Sequence, residues 1–229
     1  MDYKNLQFDV SEKVLALGLN GVYFTMGGLC NKDTDPNFDL IKSQVVNEIL
    51  EGLSMQTIEE NSVLAGFRSL HQRVNVSNRK NIASPENLLS FLLQRRQIPH
   101  INLLVDIYNL VSIKSKLALG AHDIKHISGA VHLRLTNGGE IFWPLGSDKL
   151  KPVGVGEYAY VDDSNEILCR LETRQVEKTK VTLETTECFY IIQGSSASDA
   201  HYLKAVAEEL ITLTKRFCGG EERFLFVPS

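Results

Sequence analysis

Few residues in this chain have the type and spacing to do chemistry. His122 and His126 stand four apart, the interval that puts two metal ligands on one helical face. The Glu of an HExxH pattern is absent, so they read as two unrelated histidines and no metal site is expected. Arg170 and Arg174 bracket Leu171-Glu172-Thr173, and strand alternation would set residues 170, 172 and 174 on one face. Such a trio is either an exposed ion-pair strip of little energetic weight or a pair of planar forks that grips a phosphate or carboxylate. Tyr108 and Asn109 are adjacent, and the Asn109 amide can both donate and accept hydrogen bonds in a pocket. Cys169 and Cys188 read as small buried hydrophobes on strands. Gly154 and Gly156 have neither the spacing nor the lysine of a nucleotide-binding loop, and no GxSxG elbow is present.

These residues must be positioned by the stretch from Leu104 to Ile127. Ile101, Leu104, Val105, Tyr108, Val111 and Ser112 recur at intervals of three and four, which predicts an amphipathic helix. The pattern breaks at Leu119-Gly120-Ala121, with His122 and Asp123 behind. Gly120 can take a positive φ or admit a close neighbour. The segment is therefore either a pocket wall or a core helix closed by an ordinary glycine cap.

Elsewhere, Lys13–Phe24 reads as an early strand. Asp35-Pro36 starts a helix carrying Phe38, Ile41, Val45, Ile49 and Leu53 on one face, and Ile58 to Leu70 suggests another. Ser84-Pro85-Glu86 starts a third, with Ser84 as cap. After Ile127 the period becomes two. Asn137-Gly138 signals a hairpin with a return at Glu140–Trp143, and 157–161, 166–171, 178–183 and 188–192 read as strands. Leu203, Val206, Leu210, Leu213 and Phe217 mark a last helix, closed by Gly219 and followed by a short strand or docked tail at 224–227. Helices first, strands later and a helix to finish predict an α+β fold, with an early strand, a central mixed or antiparallel sheet and a C-terminal helix.

The 229 residues allow one sizeable core or two small ones, and 43% hydrophobic with 23% charged is an ordinary globular balance. A net charge of −4 argues against a protein that coats nucleic acid nonspecifically. No apolar run approaches the ~20 residues that span a bilayer. The N-terminus lacks the basic start and apolar block of a secretory signal. Cys30, Cys169, Cys188 and Cys218 form no CxxC pair, so free thiols and a cytoplasmic location are expected.

Asp106-Ile107-Tyr108-Asn109-Leu110-Val111 and Leu117-Ala118-Leu119-Gly120-Ala121-His122-Asp123 resemble the B3/B4 domain of the phenylalanyl-tRNA synthetase beta subunit. They are closer still to free-standing proteins built from that domain. The resemblance continues through Ser128-Gly129, Gly139-Glu140, Gly156-Glu157-Tyr158, Cys169-Arg170, Thr173-Arg174-Gln175 and Thr182. It implies a single domain over 1–229: an N-terminal extension at 1–83, the core resemblance at 84–193, and a C-terminal helix and tail at 194–229. In the synthetase this domain binds the 3′ end of a misacylated tRNA and hydrolyses the aminoacyl ester. Its site uses a Thr-Asn pair, a His shortly after and a later Glu. The Asn is matched by Asn109. Tyr108 stands at the Thr, Gly120 at the His, and the Glu falls on Ile192, so a changed substrate or activity is open.

The resemblance thus implies an aminoacyl-tRNA partner and trans-editing of its ester, with no cofactor, membrane or DNA involved. Tyr108, Asn109, Gly120, His122, Asp123, Arg170 and Arg174 are the expected substrate-binding residues. The alternatives are a noncatalytic tRNA- or RNA-binding module and a small-molecule binding protein.

Overall fold

Residues 2–228 are described by the computed structural model. In chain order the elements are β1 (Phe8–Val10), α1 (Glu12–Leu15), β2 (Asn20–Gly27), α2 (Pro36–Gly52), α3 (Met55–Glu59), α4 (Ser62–Arg73), α5 (Ser84–Arg95), α6 (Leu103–Ser115) and β3 (Ala118–Asp123). A 3-10 turn (Ile124–His126) leads to β4 (Val131–Leu135), β5 (Tyr158–Asp162), β6 (Ile167–Arg170), β7 (Arg174–Gln175), β8 (Glu187–Gly194), α7 (Ala200–Cys218) and β9 (Glu221–Phe226). The α+β expectation holds, but the strands form two sheets, ordered β3-β8-β2-β9 and β1-β4-β5-β6-β7.

The molecule has three layers. One face of the four-stranded sheet gives Val22, Phe24, Met26, Leu119, Tyr190 and Ile192 to a core shared with the helices. Its other face gives Tyr23, Ala118, Phe189 and Ile191 to a second core shared with Val131, Leu133, Tyr158, Tyr160 and Leu168 of the five-stranded sheet. Burial on both faces explains why β2 and β8 read as nearly continuous apolar runs rather than alternations. On β4 the alternation holds from Val131 to Arg134, with Val131 and Leu133 buried and His132 and Arg134 partly exposed, and then reverses, since Leu135 is partly exposed and Thr136 buried. No helix among the described residues is long and apolar enough to cross a membrane.

Several sequence expectations shift. The segment read as one strand at Lys13–Phe24 splits into α1 and β2, and Gly18 (φ 81) lies in the turn between them. Helix α6 is buried almost all round rather than on one stripe, because it lies in the middle of the helical layer. Asn102 caps its start by accepting from the Val105 N–H, and Lys116, in a left-handed conformation (φ 60), ends it. Gly120 is therefore not a helix cap. Ser84 is the first residue of α5, and Ala83 precedes it without a side-chain cap. At Asn137-Gly138 no hairpin forms, since β4 pairs with β5; the turn instead wraps the Glu140 carboxylate, which accepts from the N–H groups of Asn137 and Gly138. The 178–183 segment is not a strand, and the tail pairs with β2 as β9.

Candidate functional site

A cavity of about 350 Å³ opens where α5, α6 and β3 meet the β6–β7 turn. Tyr108 and Asn109 reach it from α6, Gly120 and His122 from β3, and Ile191 and Gln193 from β8. Glu172, Arg174 and Gln175 close it from the turn. Strand parity explains the selection. Residues 118, 120 and 122 of β3 pair with 193, 191 and 189 of β8, and these pairs face the second sheet.

Parity also bears on Ile192, the position to which the resemblance carried an acidic residue. Ile192 is fully buried and faces the helical core, whereas its neighbours Ile191 and Gln193 face the cavity. A one-residue step on a strand reverses the face. The cavity's carboxylate comes from Glu172, the middle residue of the 170/172/174 trio that sequence left as either an exposed ion-pair strip or an anion-gripping pair. The strip does not form, because Leu171 (φ 53) and Glu172 (φ 44) both adopt left-handed backbone and turn the chain inward. For non-glycine residues such geometry costs on the order of 1–3 kcal/mol each.

What holds the turn is a buried polar chain. Glu172 accepts from Tyr158 Oη (2.7 Å) and Gln193 Nε2 (2.6 Å), and its other oxygen lies 2.5 Å from His71 Nε2. Asn78 uses its NH₂ on the Arg68 carbonyl, so its Oδ1 faces His71 Nδ1 at 3.0 Å and that nitrogen carries hydrogen. Gln193 donates to Glu172, so its Oε1 accepts from Tyr160 Oη (2.6 Å), which in turn lies 3.3 Å from Tyr23 Oη. Burial raises the Glu172 pKa, only partly offset by the His71 hydrogen bond and charge. For His71, burial lowers the pKa, but the Glu172 hydrogen bond and charge outweigh it and the net shift is upward. With three donors facing the carboxylate, the shared proton belongs on His71.

His122 is the opposite case. It is fully buried, and burial alone drives its pKa down to about 3, so the ring is neutral. Nδ1 lies 2.8 Å from Thr179 Oγ1, and Nε2 is a buried polar atom with no protein partner. Such an orphan costs roughly 1–3 kcal/mol unless a ligand or water satisfies it. Tyr108 is buried, and burial pushes its phenol well above the usual range.

The remaining expected residues separate. Gly120 has no positive φ; a Cβ there would meet Gln175 Nε2 at 2.6 Å, so the glycine admits the Gln175 amide across the strand. Arg174 lines the cavity and is exposed. Arg170 does not line it: its Nε and Nη2 donate side by side to the Glu157 carboxylate, its Nη1 donates to Asn81 Oδ1 at 3.4 Å, and the ring of Phe142 is 6.0 Å away. The two arginines are cross-strand partners, but a shared phosphate clamp is not what they form, because Glu157 already occupies Arg170. Asp123 caps the 3-10 turn by accepting from the Lys125 N–H and also accepts from Thr185 Oγ1, away from the cavity. His71, Gln175 and Gln193 were not anticipated. A polar residue inside the apolar run of β8 was the available signal for Gln193.

The fold is α+β, with a cavity between the helical layer and a sheet that is lined by the orphan imidazole of His122, by Glu172 and by the exposed guanidinium of Arg174. The chain belongs to the B3/4 domain family, whose model matches residues 68–219. A solved structure of similar fold is an N-terminal fragment of the phenylalanyl-tRNA synthetase beta-subunit from Pyrococcus horikoshii, at 15% identity and a TM-score of 0.52. That match covers 96% of this chain but 50% of the fragment, so the chain spans about half the length of its structural relative. No curated protein matches in sequence.

Proposed function

We propose that the cavity receives the aminoacylated 3′ end of a tRNA and that the protein hydrolyses the ester in trans. The observation that carries this is the unpartnered Nε2 of a neutral, buried His122 in a cavity whose exposed cation is Arg174. The structural relative is named as part of a tRNA synthetase, which supports an RNA-related ligand for the shared fold. Arg174 suits a phosphate, since a guanidinium offers a planar fork of donors. The aminoacyl group then lies between α6 and β3. His122 Nε2 accepts from the attacking water; at a pKa of about 3 it orients that water more than it deprotonates it. The Asn109 and Gln175 amides supply donors for the developing oxyanion.

Glu172 serves as a positioning residue: all its facing groups are donors already engaged, and it holds Gln193 and, through it, Tyr160. The same engagement favours a second reading, a tRNA-binding module without hydrolysis, because the cavity's carboxylate is not free to act as a base. A panel of mischarged tRNAs at micromolar protein tests the choice. Deacylation of at least one species well above buffer is expected. No acceleration for any species, with filter binding to tRNA retained, would select the binding module.

A further inference from the structure

Beside the cavity, across the wall formed by residues 143–145 and 174–178, lies a second hollow of about 290 Å³ lined by Ile141, Trp143, Ile167, Leu168 and Val176. The two share that wall because Leu145 N–H donates to the Gln175 carbonyl (2.9 Å), Pro144 bridges to Val176, and Glu177 N–H donates to the Trp143 carbonyl (3.2 Å). Leu145 and Gln175 line the first cavity, while Trp143 and Val176 line the second. Trp143 is 47% exposed, yet its Nε1 is fixed on the Ser147 carbonyl at 2.7 Å. A large aromatic held at one edge and left open is a preformed stacking face, free of much of the ordering cost that a mobile side chain would carry.

We propose that Trp143 is a stacking platform for an unpaired base of a single-stranded RNA segment leading out of the first cavity. This rests on the tRNA 3′-end reading above.

Charge favours RNA over an apolar protein surface. Glu166 and Glu177 are paired with Lys178 and Lys180, and buried Asp162 accepts from the N–H groups of Ser128, Ser164 and Glu166. Lys149, Lys151 and Arg174 remain against Asp148, a local positive balance on a chain of net charge −4. An aromatic face flanked by unpaired cations is how single strands are held without base-specific hydrogen bonds.

Trp143 is the only tryptophan in the sequence, so its emission reports the site directly. The probe is an uncharged RNA hexamer ending in CCA, titrated at low salt. Saturable quenching is expected. Trp143→Ala should weaken binding about tenfold or more, and Trp143→Phe, which keeps the ring face, should retain most of it. Cleavage of an aminoacyl-adenosine, which has no upstream base, should be unchanged in both variants.

Binding without quenching, equal affinity in Trp143→Ala, or equal losses in Phe and Ala would overturn the platform. So would concentration-dependent self-association abolished by Trp143→Ala with RNA affinity intact, which would assign the face to a second copy. Quenching with no deacylation of any mischarged tRNA would leave the platform standing and remove the hydrolase reading.

Discussion

Replacing Glu172 in two ways separates its hydrogen bonds from its charge. Glu172→Ala strands His71, Tyr158 Oη and Gln193 Nε2 in a site where Glu172 is 5% exposed and His71 1%. Breaking a buried pair from one side costs roughly 3–5 kcal/mol. For a chain of this size that is a fall in Tm of about 6–20 °C, taking ~2–4 °C per kcal/mol. Glu172→Gln is isosteric. Its carbonyl oxygen still accepts from Tyr158 and Gln193, and its NH₂ can donate to His71 Nε2 if the ring is neutral with hydrogen on Nδ1. The Nδ1 contact with Asn78 already requires that hydrogen. The expected cost is about 1 kcal/mol, the scale of one ordinary hydrogen bond.

The pH dependence should then reverse. In the wild type the folded His71 pKa is raised, so its contribution is full below about pH 6.5 and is lost as pH rises through the folded value. Glu172 is also raised, so it adds to the same direction, from about pH 4.5 upward. In Glu172→Gln the buried ring must stay neutral, its pKa falls below 6.5, and its contribution grows as pH rises. His100 and His132, both raised, and His122, lowered, contribute equally to both proteins. Urea unfolding between pH 5 and 8, read as the difference between variant and wild type, should rise with pH. A flat difference, or equal costs for Ala and Gln, would refute the ion-pair account.

The two arginines should part company: Arg170→Ala uncovers buried Glu157 and should lower stability by about 3 kcal/mol, whereas Arg174→Ala should stay within about 0.5 kcal/mol and weaken tRNA binding instead. Melting curves and filter binding on both variants check this. Gly120→Ala forces Gln175 aside, since a Cβ would meet its Nε2 at 2.6 Å, and should reduce deacylation while costing about 1 kcal/mol or less in unfolding assays. Cys30 is exposed and the other three thiols are buried, so a thiol reagent should titrate one group in the native protein and four after denaturation.

The sequence carried the fold well where local chemistry decides. Asp35 does cap α2, accepting from the Asn37 and Phe38 N–H groups, and Gly219 (φ 71) does end α7. It misled where burial is two-sided: β3 sits in a fully buried stretch, so its period of two is masked and Gly120 looked like a cap. Tyr108, Asn109, Gly120, His122 and Arg174 converge on the cavity, and all but Arg174 lie within fifteen residues of one another. Glu172 and His71 were illegible because they are 101 residues apart and meet only through left-handed backbone at 171 and 172, which no spacing rule signals. The Arg170–Glu157 ion pair was not legible because the two residues are thirteen apart on neighbouring limbs of the sheet, outside any local window.

The central claim is that the aminoacyl end of an RNA occupies the cavity between β3 and the 171–175 turn. A crystal grown with a nonhydrolysable 3′-aminoacylamido analogue of adenosine 5′-phosphate tests it most directly. The expected result is the aminoacyl group inside the cavity, a ligand donor or bridging water within about 3.2 Å of His122 Nε2, and the phosphate on Arg174. An empty cavity at saturating analogue, or analogue bound elsewhere with His122 Nε2 still unpartnered, would contradict it.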